Sequence, residues 1–400
     1  MNEITFAATG DSIITRKVST RKGPDFSGLV DLVRSADAAF TNLEIMTPRR
    51  PWVPSSEYGG MHLAAPPFIL DELRWMGFNL FNVANNHAID YTFQGLVDTL
   101  DELERRNMVY AGGGRPGINP LRFDTDYVLD AGRLAWIKEI DEVLGTQATA
   151  QRRREFGLLV EDRPDTYLFL GRHFAEGDQP GVRTRPQARD LEEIARWIAE
   201  ARRQADLVVV SLHAHEGQNG DSNSDEPADF VVEAARRWID AGADVFVGHG
   251  PHMLRAMEIY NGKPIFYSLG NFMFMFETVL RLPAEMYERH DLRPEATPSA
   301  VYDIWSAHED GSPKGFHTDP RFWESVVPVC RFAGGRVTSI ELHPVTLGLG
   351  QPRTRRGEPG LAQAADGEKV LNQLAELSAP FGTGIRIEKR GERVVGLVEL

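Results

Sequence analysis

Carboxylate, amide and imidazole side chains recur in this sequence at one kind of position, directly after short apolar runs that read as buried strands. Asp11 follows the first run, Glu44 the second, and Asn86 and His87 the third. His213 and His215 close a nearly continuous apolar run over residues 206–212, and His249 and His252 follow another over residues 244–247. Open α/β sheets bind ligands outside the carboxyl ends of their strands, so these side chains are expected to converge in one crevice. Two carboxylates with several imidazoles suit divalent ions such as Mn²⁺, Fe²⁺ or Zn²⁺ rather than thiophilic ones. One or two such ions would clamp a phosphoryl oxygen and lower the pKa of a bound water. Each residue alone has a plainer explanation. Gly10-Asp11 reads as a turn, Asn85-Asn86 as a helix cap, and any one of the 11 histidines as a hydrogen-bonded structural group. Recurrence at five strand ends is what points to a site.

Composition narrows the classes. The 400 residues carry 44 Lys+Arg against 58 Asp+Glu, a net charge of −14, with 42% hydrophobic and 26% charged residues. That is a folded globular chain, long enough for two or three domains or one large α/β unit. So acidic a chain is a poor nucleic-acid binder, because that affinity comes mainly from clustered Lys and Arg. An anionic substrate would need a local device against the overall field, and a bound cation is the simplest. Cys330 is the sole cysteine, which rules out an internal disulfide and a thiolate cluster. The first residues carry no basic leader pattern, and no apolar run approaches the ~18 residues that span a bilayer. The expectation is a cytoplasmic protein without membrane contact.

The elements that must position these residues alternate. Strands are expected over residues 3–8, 38–41, 79–84, 126–130, 167–170, 206–212, 244–247 and 264–267, with 206–212 covered on both faces. Helices are expected over residues 26–36, 67–75, 91–106, 190–203, 228–241 and 362–378. Residues 145–163 read as charged and peripheral, and Gly112-Gly113-Gly114 as a turn. This alternation argues a layered α/β fold with partly parallel pairing. Residues 278–325 break the rhythm with Pro283, Pro294, Pro298, Pro313 and Pro320. They read as a lid on a core of residues 1–277, which residues 326–400 complete with further β-structure.

Six blocks resemble, in order, those of the poly-γ-glutamate capsule synthesis (CapA) family of calcineurin-like metallophosphoesterases. They are Gly10-Asp11, Asn42-Leu43-Glu44, Ala84-Asn85-Asn86-His87-Ala88-Ile89-Asp90, Ser211-Leu212-His213, Gly248-His249-Gly250-Pro251-His252 and Tyr267-Ser268-Leu269-Gly270-Asn271-Phe272. Gly350-Gln351-Pro352 and Phe381-Gly382-Thr383 are similar to the family's tail. The resemblance implies a four-layer α/β/β/α sandwich with Asp11, Glu44, Asn86, His213, His249 and His252 as metal ligands. It makes His87 a proton donor oriented by Asp90, and Arg16 a holder of an anionic group. His215 is expected to support the site or to face substrate. The chain departs from the pattern at Ile13, where the superfamily usually has a histidine, and at Gly250, where the family often has a second one. Members are also commonly exported or anchored, and neither signal is read here.

Several functions follow as expectations. The leading one is hydrolysis of a small phosphate ester by metal-activated water. His87 or a lid histidine (His290, His308 or His317) would protonate the departing oxygen. A second is epimerisation of a peptide, with Asp11 and a lid histidine such as His290 exchanging a proton at Cα from opposite faces. Hydrolysis or transfer at γ-glutamyl amides, and non-catalytic binding of poly-γ-glutamate, complete the set.

Overall fold

The computed structural model describes residues 3–56, 61–112, 120–158, 163, 165–293 and 295–400. Gly113 and Gly114 of the expected turn and Pro294 of the expected lid lie outside the described residues.

Side chains alternate along Ile4–Ile13, Ala7 joining one core cluster while Phe6 and Ala8 join another. That period of two makes it a strand buried on both faces, and it lies inside a ten-stranded sheet. Parallel strands Ala38–Leu43, Leu80–Asn82 and Val109–Ala111 extend the sheet on one side. On the other side run antiparallel Glu324–Ala333 and Arg336–Thr346, then Arg393–Val398 and Ile385–Arg390. Asn271–Phe274 pairs in parallel with the end of the first strand. Helices Pro24–Arg34, Phe68–Met76 and Thr92–Arg105 bury Leu29, Leu70 and Leu100 in the cluster that contains Ala7.

A second sheet runs in the order Met257–Tyr260, Lys263–Phe266, Val245–His249, Val209–His213. Val245 and Val247 share a cluster with Phe6 and Phe40, so this sheet packs against the large one. Phe246 points the other way, onto Trp238 of helix Asp229–Asp240, in a cluster with Leu191 and Ile198 of helix Ala188–Arg202. A third, small sheet (Tyr167–Phe169, Arg172–Glu176, Phe123–Leu129, Gly181–Pro186) leans on helix Asp229–Asp240 by stacking Phe123 on Phe230.

The α/β alternation is as expected, and three local readings need correction. The first strand does not stop before Asp11 but runs through it to Ile13. The run expected to be covered on both faces is the edge strand Val209–His213, half-buried along its length. In the middle of the chain, charged residues 145–163 do include a peripheral helix, Thr146–Glu155, which buries nothing. The preceding helix Ala131–Leu144 was not expected, although Trp136, Ile140 and Val143 keep the i, i+4, i+7 spacing of a helix; that apolar face is exposed. Residues 278–325, expected as a lid, carry secondary structure of their own. They hold helices Ala284–Glu288 and Pro298–Ser306, with Tyr302 and Trp323 buried. No helix among the described residues is long and apolar enough to cross a membrane.

One close approach holds the two ends of this arrangement together. A Cβ on Gly10 would sit 1.8 Å from the Gly270 carbonyl oxygen, while the next amide, Asp11 N–H, donates to that same oxygen at 2.9 Å. Gly10→Ala is therefore expected to destabilise by about 2–3 kcal/mol, because backbone rather than a flexible side chain must move. Denaturant melting checks this, and an unchanged midpoint would contradict it.

Candidate metal centre

Asp11 reaches the site through a bulge. From Ala8 to Asp11 the first strand advances three residues while its neighbour advances two, from Phe40 to Asn42. The extra residue turns Asp11 onto the face of Phe6 and Ala8, toward the second sheet. Glu44 follows strand Ala38–Leu43 directly, and His213 and His249 are paired last residues of adjacent parallel strands. His252 lies in the turn beyond, with φ +61°, a backbone conformation rare outside glycine and frequent at functional sites.

The donor atoms form two sets. Within each, one carboxylate and two imidazoles bring their ligand atoms within 4.8 Å of one another: Asp11 with His213 and His249, and Glu44 with His215 and His252. The sets abut, since His213 Nε2 lies 3.3 Å from His215 Nε2 and His252 Nδ1 lies 3.5 Å from Asp11 Oδ2. Asp11 is fully buried and accepts from Asn42 Nδ2 at 2.8 Å and from the Gly250 N–H at 3.1 Å. Burial alone would raise its pKa. The His252 hydrogen bond and the fields of His213, His249 and His252 outweigh that, and hold Asp11 below the usual carboxylate range.

Glu44 differs. It too is fully buried, yet neither carboxylate oxygen has a hydrogen-bond partner among the described residues. Burial first, and then the neighbouring Asp11, raise its pKa well above the usual value. Its Oε1 lies 3.8 Å from Nε2 of both His87 and His213 and 3.9 Å from His252 Nε2. A buried carboxylate without partners, ringed by imidazole nitrogens, fits a divalent cation by donor chemistry and by electrostatics. His249 and His215 are pushed down to about 4, mainly by burial, so they stand neutral and able to ligate at neutral pH.

The structure distributes the expected residues unevenly. His87 Nδ1 bonds Asp90 Oδ2 at 2.7 Å, and Asp90 is itself fixed by the Leu63 N–H at 2.7 Å. Asn86 is exposed, whereas its neighbour Asn85 turns inward to Asn42 Oδ1 at 3.2 Å and the Leu43 carbonyl at 2.9 Å. Arg16 binds Thr278 Oγ1 at 2.7 Å, the Arg356 carbonyl at 3.1 Å and Glu358 at 3.3 Å. His290 takes the indole N–H of Trp305, and His317 pairs with Glu277 at 3.4 Å, while His308 closes a turn through its backbone. The insertion residue that meets the cluster is Phe316, its ring 5.6 Å from that of His252. Gly250, which departs from the family's histidine pattern, has φ +119°, and a Cβ there would lie 2.9 Å from the Ala214 nitrogen. Only glycine suits a turn that must also aim its N–H at Asp11.

Sequence reading missed the amides. Asn82 Nδ2 donates to Asn42 Oδ1 at 2.7 Å and Asn42 Nδ2 to Asp11, a relay that orients the carboxylate from the sheet. Asn42 stands two residues before Glu44 in the same block, which was the available signal. Ser211 Oγ holds His249 Nε2 at 2.6 Å, leaving Nδ1 toward Asp11.

The comparisons with known proteins bear on the same residues. A family model described as bacterial capsule synthesis protein PGA_cap matches residues 5–275, which include every strand end of the site. The chain belongs to that family. It is 34% identical to the PGA biosynthesis protein CapA of Bacillus subtilis over 66% of this chain and 62% of that one. It is 26% identical to the capsule biosynthesis protein CapA of Bacillus anthracis over 78% of this chain and 69% of that one. The uncharacterized protein y4sH of Sinorhizobium fredii is 33% identical over 99% of this chain and 93% of its own length, so the likeness to that protein extends through the C-terminal strands.

The buried charge sets a pH dependence. Glu44, raised above its usual 4.5, contributes its stability fully below that pH and loses it as pH rises through the raised value. His249 and His215 act oppositely, their contribution being present above 6.5 and lost as pH falls toward 4. Glu44→Gln is expected to stabilise the chelator-treated protein at pH 8 by about 1–3 kcal/mol while weakening divalent-ion binding. Melting in chelator and with added Mn²⁺ checks both signs. A less stable variant in chelator would contradict the assignment.

Proposed function

We propose that this chain is a metal-dependent hydrolase of phosphate esters, on a four-layer sandwich of metallophosphoesterase type. The observation that carries the reading is the pair of abutting carboxylate–imidazole sets at the ends of strands from two sheets. The layering is supported by the three apolar clusters, one between the sheets and one under the helices outside each. Bound divalent ions would polarise a phosphoryl or carbonyl oxygen and supply a water of lowered pKa. Two such ions against two carboxylates leave a positive centre, which suits an anionic group in a chain of charge −14.

The chain's own residues do the rest. Asp11, His213 and His249 would hold one ion and Glu44 with His252 the other. His87 stands with its Nε2 beside Glu44 and its Nδ1 held by Asp90, the geometry of a proton donor to a departing oxygen. Phe316 covers His252 and limits water at that edge. The names of the Bacillus relatives favour a second substrate class, the γ-glutamyl amides of an acidic polymer. Release of inorganic phosphate or of free amine separates the two.

With the metal-loaded full chain, His87→Asn is expected to lower turnover of alkyl phosphates by about 10²–10⁴. The loss for p-nitrophenyl phosphate should be much smaller, because that leaving group departs without a proton. Equal losses for both substrates would contradict the role given to His87.

A further inference from the structure

The second set contains a residue that has no counterpart in the ligand pattern of the sequence blocks. Ile13 stands where a histidine is usual in the superfamily, and it is buried in the apolar core, 2% exposed. His215, two residues beyond His213, brings its Nε2 to the cluster from the second sheet instead. We propose that His215 is a metal ligand, completing with Glu44 and His252 a second divalent-cation site beside that of Asp11, His213 and His249.

Three observations carry this. The first is Glu44 itself, a fully buried carboxylate whose two oxygens lack partners among the described residues. The second is tautomer control, which is the same for both imidazoles of the set. Asn271 donates its Nδ2 to the carbonyls of His252 and Phe322, so its Oδ1 must accept from His252 Nδ1–H at 3.0 Å. Asn223 Oδ1 lies 2.7 Å from His215 Nδ1. An amide oxygen on Nδ1 puts the proton there and turns the Nε2 lone pair to the cluster, as second-shell partners of metal-binding histidines do. The third is the anchoring of the loop. Arg255, 1% exposed, donates to the carbonyls of Ser224 at 2.9 Å and His215 at 3.1 Å. A buried arginine spent on loop carbonyls fixes His215 and Asn223 together.

The set, one carboxylate and two imidazoles, takes Zn²⁺, Fe²⁺ or Mn²⁺ and leaves coordination positions for substrate or water. The inference rests on the metal-centre reading above, and its test separates the two. The untagged full chain is stripped with chelator and dialysed against graded Co²⁺, with bound metal counted by mass spectrometry and the visible Co²⁺ spectrum recorded. Wild type is expected to take two equivalents and His215→Ala one, with loss of one component of the spectrum. Asn223→Ala keeps the ligand but frees its ring, and should weaken the second equivalent about 10–100-fold. Asn223→Asp, which retains the acceptor, should restore it. This pair decides the matter if His215→Ala fails to fold. No metal bound by wild type would sink the metal centre as a whole. Two equivalents in both wild type and His215→Ala, or one in both, would overturn the role of His215 alone.

Discussion

Two carboxylates are buried side by side where two sheets meet, and neither is paired with a lysine or arginine among the described residues. That arrangement is unfavourable unless positive charge is supplied, and the surrounding structure is organised around it. Asp11 is partly compensated by backbone and amide donors, which explains the bulge in its strand, the Asn82–Asn42 relay and the glycine turn at Gly250. Glu44 receives no such donors among the described residues. The difference separates a carboxylate positioned by the fold from one that the proposed cation would compensate.

The imidazoles are prepared in the same sense. His249, His215 and His252 each have one nitrogen engaged at the periphery, by Ser211, Asn223 and Asn271 respectively, so that the other faces inward. His252 accepts a left-handed backbone to do so, a local strain that the turn between Gly250 and Leu254 holds in place. Stability and binding therefore oppose each other at this site, as is common where groups are pre-positioned for a ligand.

Much of this was legible in the sequence, and for a physical reason. Asp11, Glu44, His213, His249 and His252 follow apolar runs, and the carboxyl end of a buried strand has one destination in a layered α/β fold. What was not legible depends on register or on contacts between distant loops. The bulge that turns Asp11 leaves no mark in an alternating strand, and the choice between Asn85 and Asn86 is a matter of which side chain the tight turn directs inward. His215 was expected to support the site or to face substrate, and its place in the cluster was not legible because its partner Asn223 sits in a polar loop without periodicity. The small sheet between residues 123 and 186 was only half visible, since Arg172–Glu176 and Gly181–Pro186 are polar strands with little buried surface. Family likeness supplied the order of the blocks but did not reach His215, which lies outside them.

The central claim is that these side chains hold divalent cations. The most direct measurement is anomalous X-ray diffraction from crystals grown with Mn²⁺, collected on both sides of its absorption edge. Anomalous density is expected among Asp11, His213, His249, Glu44 and His252, with the hydrogen bond between His213 Nδ1 and His249 Nδ1, 2.9 Å in the structure, broken to admit it. Crystals that show no such density, with His213 Nδ1 still bonded to His249 Nδ1, would contradict it.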